Sequence, residues 1–347
     1  MKYNFQKIIN MSQPQKTYQL APDLKICRIL NGMWQVAGGH GKIEKESAIS
    51  DMISYHDSGF TTWDMADIYG PAEEYIGEFR RQIAKNKGND ELDKIQALTK
   101  FVPNPGKMTR EIVEHHIKKS IQKMNVKEID LVQFHWWDYS DTSYLDALHH
   151  LFKLQDEKKI KNIGLTNFDT ERIKIMVENG FKISSNQVQY SIIDQRPEIK
   201  MTPFCQKHDI KILCYGTLLG GFLSENYLKK PEPARSQLYT ISLQKYKNMI
   251  DAWGGWDLFQ ELLVVLSHIA KKHHSSIANV AAKYILDKPS VAGVIIGTRL
   301  GLAEHREDNA RVFSLNLDKE DKEKIKSVTI KSQDLFSSIG DCGDEYR

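Results

Sequence analysis

Four residues whose side chains can transfer or stabilise a proton stand at or near the ends of apolar runs in this sequence. Asp64 ends one run and Tyr69 follows five residues later, while Lys100 and His135 end two later runs. A tyrosine with a pKa of about 10 gives up its proton poorly near neutrality unless charged neighbours help. A carboxylate, an ammonium group and an imidazole are candidate neighbours. The residue types therefore predict a proton-transfer site around Tyr69.

The spacing of these residues indicates the elements that hold them. The apolar run before Asp64 leads through a short loop into a helix that begins at Ala72, and this pattern recurs along the chain. The first predicted strand lies within 25–34, and the others cover about 60–64, 95–100, 129–135, 160–166, 183–190, 210–215 and 291–296. Polar residues at the carboxyl ends of barrel strands are typically catalytic. A doubly wound open sheet is the alternative, but no G-x-G-x-x-G follows the first strand. The pattern favours a single α/β domain, a (β/α)8 TIM barrel with a long loop after strand 7.

The order Asp64, Tyr69, Lys100 and His135 resembles the catalytic tetrad of the aldo-keto reductase superfamily, and the resemblance spans roughly residues 19–329. It implies that Tyr69 is the general acid that protonates a carbonyl oxygen as hydride reaches the carbon. Lys100, paired with Asp64, would lower the pKa of the phenol, and His135 would orient the carbonyl. Taken singly, each residue also has a structural explanation. His135, for example, stands among aromatic residues and could simply be packed there.

The resemblance also implies a nicotinamide dinucleotide that lies extended across the barrel mouth without a Rossmann domain. Thr166, Asn167 and Gln187 would hydrogen-bond the nicotinamide carboxamide, and Tyr215 would stack on the nicotinamide ring. The other residues expected at the cofactor are Gly32, Met33, Gly216, Leu218, Gly220, Gly297, Thr298, Arg299, His305, Asp308 and Asn309.

The segment after the last predicted strand resembles the family's site for the adenosine phosphates, with Arg299 as its cation and Asn309 near the adenine. A strand end followed by a helix start is a ready anion site. Many relatives carry an arginine where His305 stands. Arg299 makes NADPH (NADP+) the expected cofactor, and His305 in place of that arginine leaves NADH possible. The alternative interpretation of Arg299 is a surface cation.

Two further stretches bear on the substrate. The segment from Gly216 to Trp256 is predicted to be irregular, is too long for a passive connection, and is expected to fold over the cofactor or the substrate. Trp34 and Trp136 are expected to line an apolar substrate pocket, whereas the direction of Trp137 is not assigned by the sequence.

Composition excludes several classes of function. The chain has 347 residues, 41% of them hydrophobic, and a formal net charge of +3, so it can form a large core and shows no bulk charge for nucleic acid. Its apolar runs are too short to span a bilayer, and no signal-peptide pattern occurs, so a cytoplasmic protein is expected. The four cysteines lack C-x-x-C spacing and no H-E-x-x-H occurs, so no metal site is expected. Residues 1–18 and 330–347 are predicted as tails flanking the barrel at 19–329, and the second tail could pack across the mouth or extend away.

The leading interpretation is reversible hydride transfer between NADP(H) and a small-molecule aldehyde, ketone or sugar. A rival within the same class is an NAD(P)-dependent aldose or alcohol dehydrogenase. The rival from another class is a non-catalytic nucleotide-binding regulatory subunit, as in the potassium-channel β-subunits that resemble this family. The sequence identifies neither the substrate nor the oligomeric state.

Overall fold

The computed structural model describes residues 16–39, 41 and 43–346, and eight parallel strands of this part of the chain close into a barrel. The strands are β1 (Thr17–Ala21), β2 (Leu24–Cys27), β3 (Ile29–Gly32), β4 (Thr62–Asp64), β5 (Gln96–Phe101), β6 (Leu131–His135), β7 (Ile163–Thr166), β8 (Ser185–Gln189), β9 (Lys211–Tyr215) and β10 (Val291–Gly297). Strands β3 to β10 follow one another around the barrel in sequence order, and β10 pairs with β3 to close it. The predicted (β/α)8 barrel is confirmed.

Helices connect the barrel strands and cover the barrel. They are α1 (Lys45–Asp57), α2 (Ala72–Lys87), α3 (Arg110–Met124), α4 (Tyr144–Asp156), α5 (Thr170–Glu178), α6 (Met201–His208), α7 (Ile241–Trp253), α8 (Gly255–Lys272), α9 (Ile277–Leu286), α10 (Arg306–Arg311), α11 (Lys319–Thr329) and α12 (Leu335–Ile339). Side chains cap several of them as the sequence indicates: Asp169 accepts a hydrogen bond from the Arg172 amide at 2.7 Å. Within the described residues, none of these helices has the length and apolar character needed to cross a membrane.

An antiparallel hairpin of β1 and β2 closes the end of the barrel opposite the carboxyl ends of its strands. Its residues Leu20, Leu24 and Ile26 are buried in one cluster with inward-facing barrel residues such as Leu98 and Leu131. The first barrel strand, predicted within 25–34, is β3, and the chain bends between β2 and β3 to enter the barrel. Residues 1–15 of the predicted N-terminal tail lie outside the described residues, and the hairpin already begins at residue 17.

The segment predicted to be irregular between β9 and α8 contains helix α7. Its start is capped by Thr240, whose hydroxyl accepts a hydrogen bond from the Leu243 amide at 3.1 Å. Leu243, Tyr246, Ile250 and Trp253 are buried at helical spacing, which is the sequence signal for this helix. The prediction of an irregular segment throughout is therefore wrong, although the segment does reach the carboxyl-end mouth of the barrel.

Helices α2 and α3 cross closely at Gly77. A Cβ atom added at Gly77 would lie 2.0 Å from the Lys123 carbonyl oxygen, so the backbones must separate to accept any side chain. We expect Gly77→Ala to lower the free energy of unfolding by about 1–3 kcal/mol, because overpacking exceeds the gain of about 1 kcal/mol in helix propensity. Urea unfolding measures this loss. The control is Lys85→Ala, an exposed position on the same helix; equal stability of the two variants would contradict the prediction.

Candidate active site

The four residues of the predicted tetrad meet at the carboxyl-end mouth of the barrel. Asp64 and His135 end β4 and β6, Lys100 lies near the end of β5, and Tyr69 lies in the turn before α2. The Lys100 ammonium donates to Asp64 Oδ2 at 2.6 Å and to the Met65 carbonyl oxygen at 3.1 Å. The same Nζ lies 4.9 Å from the centroid of the Tyr69 ring. All four side chains line one cavity of about 580 Å³.

The second carboxylate oxygen of Asp64 is bound by two amides. Gln133 Nε2 and Gln187 Nε2 donate to Asp64 Oδ1 at 2.8 and 2.7 Å, and Gln187 also donates to Gln133 Oε1 at 2.7 Å. Sequence reasoning missed Gln133. It lies two residues before His135 on β6, and alternation along a strand places these two residues on the same face. Together with Lys100, the amides stabilise a carboxylate that is almost fully buried.

Burial governs the protonation of the tetrad. It raises the pKa of the Tyr69 phenol well above its ordinary value, and the charge of Asp64 raises it further. The expectation that Lys100 gives this phenol a lowered pKa is therefore corrected: desolvation and the carboxylate dominate. Burial lowers the pKa of Lys100, while the charge of Asp64 and its hydrogen bond oppose that shift. The Tyr69 phenol therefore stays protonated at neutral pH.

His135 is oriented by a backbone hydrogen bond. Its Nδ1 lies 3.0 Å from the Thr166 carbonyl oxygen, and because a carbonyl only accepts, Nδ1 carries the hydrogen. The Trp137 ring packs edge-on against the imidazole, with ring centroids 4.3 Å apart. His135 is therefore both packed among aromatic residues and part of the cavity wall, so the two interpretations of the sequence do not exclude each other.

Most of the residues predicted for the cofactor and substrate line the same cavity. They are Gly32, Trp34, Thr166, Asn167, Gln187, Tyr215, Gly216, Leu218, Gly220, Gly297, Arg299, His305, Asp308 and Asn309. Trp34 packs edge-on against the Tyr69 ring at 4.9 Å between centroids, so it borders the predicted general acid. One cavity therefore joins the tetrad to the predicted adenosine end.

Trp136 does not line the cavity, and its prediction as a substrate residue is corrected. Its side chain is fully buried, and its indole nitrogen donates to the carbonyl oxygens of Asp138 and Asp141 at 2.7 and 2.9 Å. Side chains alternate along extended backbone, so Trp136 points away where His135 and Trp137 point towards the cavity. Trp137 is the tryptophan that follows the strand and lines the cavity.

Met33 and Thr298 are also absent from the cavity wall, contrary to the prediction. The Met33 side chain is fully buried, and its amide donates to the Asp64 carbonyl oxygen at 2.9 Å. The Thr298 hydroxyl donates to the Gly32 carbonyl oxygen at 2.9 Å. Both residues hold adjacent strand ends together, because their polar groups are used in the closure of the barrel.

The polar groups of the cavity fit a nicotinamide dinucleotide. The Thr166 hydroxyl oxygen is buried at the cavity and has no hydrogen-bond partner among the described residues, so a carboxamide could satisfy it. Asn167 adopts left-handed backbone with a φ of 57°, which asparagine tolerates, and its Oδ1 accepts from the Tyr215 hydroxyl at 2.9 Å. Arg299 and His305 are exposed in the cavity and could face phosphate groups.

The turn after β9 and helix α7 cover one side of the cavity. Gly216 has a φ of 72°, and a Cβ atom there would lie 2.7 Å from the Tyr246 hydroxyl. Only glycine therefore allows the turn to pack this closely against α7. Lys245 and Tyr246 of α7 line the cavity as well. Sequence reasoning assigned the segment to the site but missed these two residues.

The C-terminal segment packs across the barrel mouth. Arg196 is 2% exposed and pairs with Asp194 at 2.8 Å and with Glu345 at 3.1 Å. The other Glu345 oxygen lies 3.2 Å from the Tyr215 hydroxyl, and Tyr346 lines the cavity. Of the two alternatives for this tail, packing across the mouth is the one that the described residues adopt.

Comparisons with known proteins agree with this geometry. A sequence model of the family described as Aldo/keto reductase family matches residues 28–330. Flagellar radial spoke protein 5 of Chlamydomonas reinhardtii is 27% identical over 262 residues, which are 64% of this chain and 49% of that protein, so the chain spans about half the length of this relative. An aryl-alcohol dehydrogenase of Pestalotiopsis microspora is 26% identical and is covered to 76%, with 86% of this chain matched. The NADH-specific methylglyoxal reductase of Escherichia coli (strain K12) is 21% identical, with 85% of this chain and 92% of the relative covered.

Solved structures share the architecture. A glycerol dehydrogenase from Gluconobacter oxydans superposes with a TM-score of 0.74 at 20% identity and covers 91% of this chain and 95% of that chain. An aldo/keto reductase from Klebsiella pneumoniae in complex with NADP and acetate gives a TM-score of 0.68 at 20% identity with the same coverage. At this identity the likeness concerns the fold.

Proposed function

This chain belongs to the aldo/keto reductase family of oxidoreductase enzymes, and we propose that it transfers a hydride between NADP(H) and the carbonyl carbon of an aldehyde, ketone or sugar. One observation carries the proposal. A buried ion pair of Lys100 and Asp64, with its atoms 2.6 Å apart, lies directly beside the Tyr69 ring at the mouth of the barrel. A buried charge pair that serves only structure has no need of a phenol facing a cavity.

Tyr69 is the general acid in this proposal. Its raised pKa keeps the phenol protonated at neutral pH, so it can donate to a carbonyl oxygen that gains negative charge. The Lys100 ammonium lies beside the ring and stabilises the phenolate left behind, while Asp64 holds that ammonium in position. His135 and Trp137 form the wall that orients the carbonyl. NADPH, when bound, supplies the hydride.

We propose NADPH as the preferred cofactor because Arg299 supplies an exposed cation in the wall of the cavity that the tetrad also lines. Arg299→Ala is expected to raise the Kd of NADPH roughly tenfold and that of NADH less, since a charge-assisted hydrogen bond to the additional phosphate is lost. Titration of nucleotide fluorescence measures both constants. Arg81→Ala removes an exposed arginine of α2 outside the cavity and serves as control. Equal effects on NADPH and NADH would argue against a phosphate contact.

Alcohol oxidation is the second candidate, since relatives include an aryl-alcohol dehydrogenase and the fold is shared with a glycerol dehydrogenase. The same residues serve this direction when Tyr69 starts as phenolate and accepts the alcohol proton. Initial rates with NADPH and a carbonyl panel, and with NADP+ and the matching alcohols, distinguish the two directions. Tight nucleotide binding without turnover in either direction would instead favour the regulatory subunit.

A further inference from the structure

A lysine outside the tetrad contributes a positive charge to the cavity. Lys245 of α7 points its ammonium group at three tyrosine rings, with Nζ 5.1 Å from the centroid of Tyr215, 5.7 Å from that of Tyr246 and 4.2 Å from that of Tyr346. The ammonium donates a hydrogen bond to the Tyr346 hydroxyl. All four residues line the cavity that holds the tetrad: Lys245, Tyr215, Tyr246 and Tyr346.

Lys245 has no direct carboxylate partner among the described residues. Within the described part of the chain, no ion pair of Lys245 is formed, and its hydrogen-bond partner is the uncharged Tyr346 hydroxyl. The nearby Glu345 is engaged by Arg196 at 3.1 Å. At the tetrad, Lys100 and Asp64 pair with each other. Arg196 is shared between Glu345 and Asp194, so these groups add no surplus positive charge. Lys245 is nevertheless the cation beside Tyr346 that a ligand anion could contact directly.

Tyr346 adds a second donor at the same place. Because an ammonium group can only donate, the Tyr346 oxygen accepts from Lys245 and keeps its own hydrogen for another acceptor. The Tyr215 hydroxyl, 3.2 Å away, is a further donor to the Tyr346 oxygen. A ligand carboxylate or phosphate could take the Tyr346 hydrogen and bind the ammonium with a second oxygen.

Aromatic contacts connect this charge to the tetrad. The Trp137 ring touches His135 on one side, with centroids 4.3 Å apart, and approaches Tyr346 on the other, with centroids 6.3 Å apart. A molecule lying along Trp137 would present one end to His135 and the other to Tyr346 and Lys245. The aromatic wall between them suits an apolar or planar spacer.

We propose that Lys245 and Tyr346 bind an anionic group of the substrate, so that the preferred substrates are aldehydes or ketones carrying a carboxylate or phosphate at the end remote from the carbonyl. This inference rests on the proposed function. The same pair of donors also suits a phosphate of the dinucleotide, and the two sources of the anion predict different effects of one substitution.

The test compares para-carboxybenzaldehyde with its uncharged methyl ester. In Lys245→Met, the ratio of kcat/KM for the acid to kcat/KM for the ester is expected to fall roughly 10- to 100-fold, because a charge-assisted hydrogen bond is lost for the acid alone. Lys245→Arg is expected to restore most of the ratio, and Tyr346→Phe to lower it by a smaller factor. Lys271→Met removes an equal charge from an exposed position of α8 and serves as control.

An unchanged ratio in Lys245→Met would overturn the inference. If the Kd of NADPH rises tenfold in the same variant, Lys245 is assigned to the dinucleotide phosphates instead. Equilibrium dialysis of both aldehydes against the NADP+-saturated wild type and Lys245→Met gives the same comparison without turnover. If neither aldehyde is reduced yet the acid binds through Lys245, the anion site stands and the proposed reductase activity fails.

Discussion

Replacing Tyr69 by phenylalanine is expected to lower kcat for carbonyl reduction by about 10²- to 10⁴-fold while NADPH still binds. The substitution removes one oxygen and keeps the ring that packs against Trp34 and beside Lys100. The cavity therefore keeps its shape, and the loss reports proton donation. Steady-state reduction of a panel of aldehydes measures the rate, and titration of NADPH fluorescence measures binding in the same preparation.

Tyr75→Phe is the matched control for this substitution. Tyr75 is buried on α2, outside the cavity, and its hydroxyl donates only a long hydrogen bond of 3.4 Å to a backbone carbonyl. Tyr75→Phe removes the same atom, a phenol oxygen, as Tyr69→Phe does. A loss of activity shared by both variants would therefore indicate general damage to the fold. Retention of full reductase activity in Tyr69→Phe would eliminate Tyr69 as the acid.

The raised pKa of Tyr69 fixes the sign of the pH dependence. A phenol whose pKa lies above its ordinary value stays protonated as the pH rises through 7 to about 9, so the acid needed for reduction is not lost there. Oxidation needs the phenolate, so its kcat/KM should increase with pH over the same range. A pH profile of both directions measures this. A kcat/KM for reduction that falls near neutral pH in the wild type, and not in Tyr69→Phe, would contradict this pH dependence.

Local patterns in the sequence were sufficient for the part of the site that is built from strand ends. Asp64, Lys100 and His135 lie at or next to the ends of strands that pair side by side, so an apolar run followed by a polar residue located them. The barrel itself followed from the alternation of elements. Tyr69 was found because its turn is short and leads directly into α2.

The errors concern the direction of side chains and contacts between distant parts of the chain. Trp136 and Trp137 are adjacent and identical in type, and only the register of β6 decides which one faces the cavity. The contact of Arg196 with Glu345 joins residues 149 positions apart, and no local pattern encodes it. The pKa of Tyr69 depends on how deeply the fold buries the phenol, so the sequence could indicate the neighbouring charges without weighing them against desolvation.

The second large effect is expected from Lys100→Met. This substitution leaves the Asp64 carboxylate, 3% exposed, without its cation and with only the amides of Gln133 and Gln187 as donors. Breaking a buried ion pair by removing one partner costs about 3–5 kcal/mol, because an uncompensated charge stays buried. We expect a loss of this size in the free energy of unfolding, measured with urea, together with a fall in kcat of about 10²-fold or more.

The double variant Asp64→Asn, Lys100→Met separates the two losses. Removing the carboxylate eliminates the unpaired charge, and the asparagine oxygen can still accept from the amide of Gln187. At least half of the stability lost in Lys100→Met should therefore return in the double variant. The double variant is then less destabilised than the sum of the two single variants predicts, which is the coupling energy of the pair. Activity should not return, because no cation stabilises the Tyr69 phenolate. Recovery of kcat along with stability would mean that the ion pair supports the fold alone. Recovery of stability without kcat would mean that this buried pair serves the proton transfer at Tyr69, since the barrel can be stabilised without it.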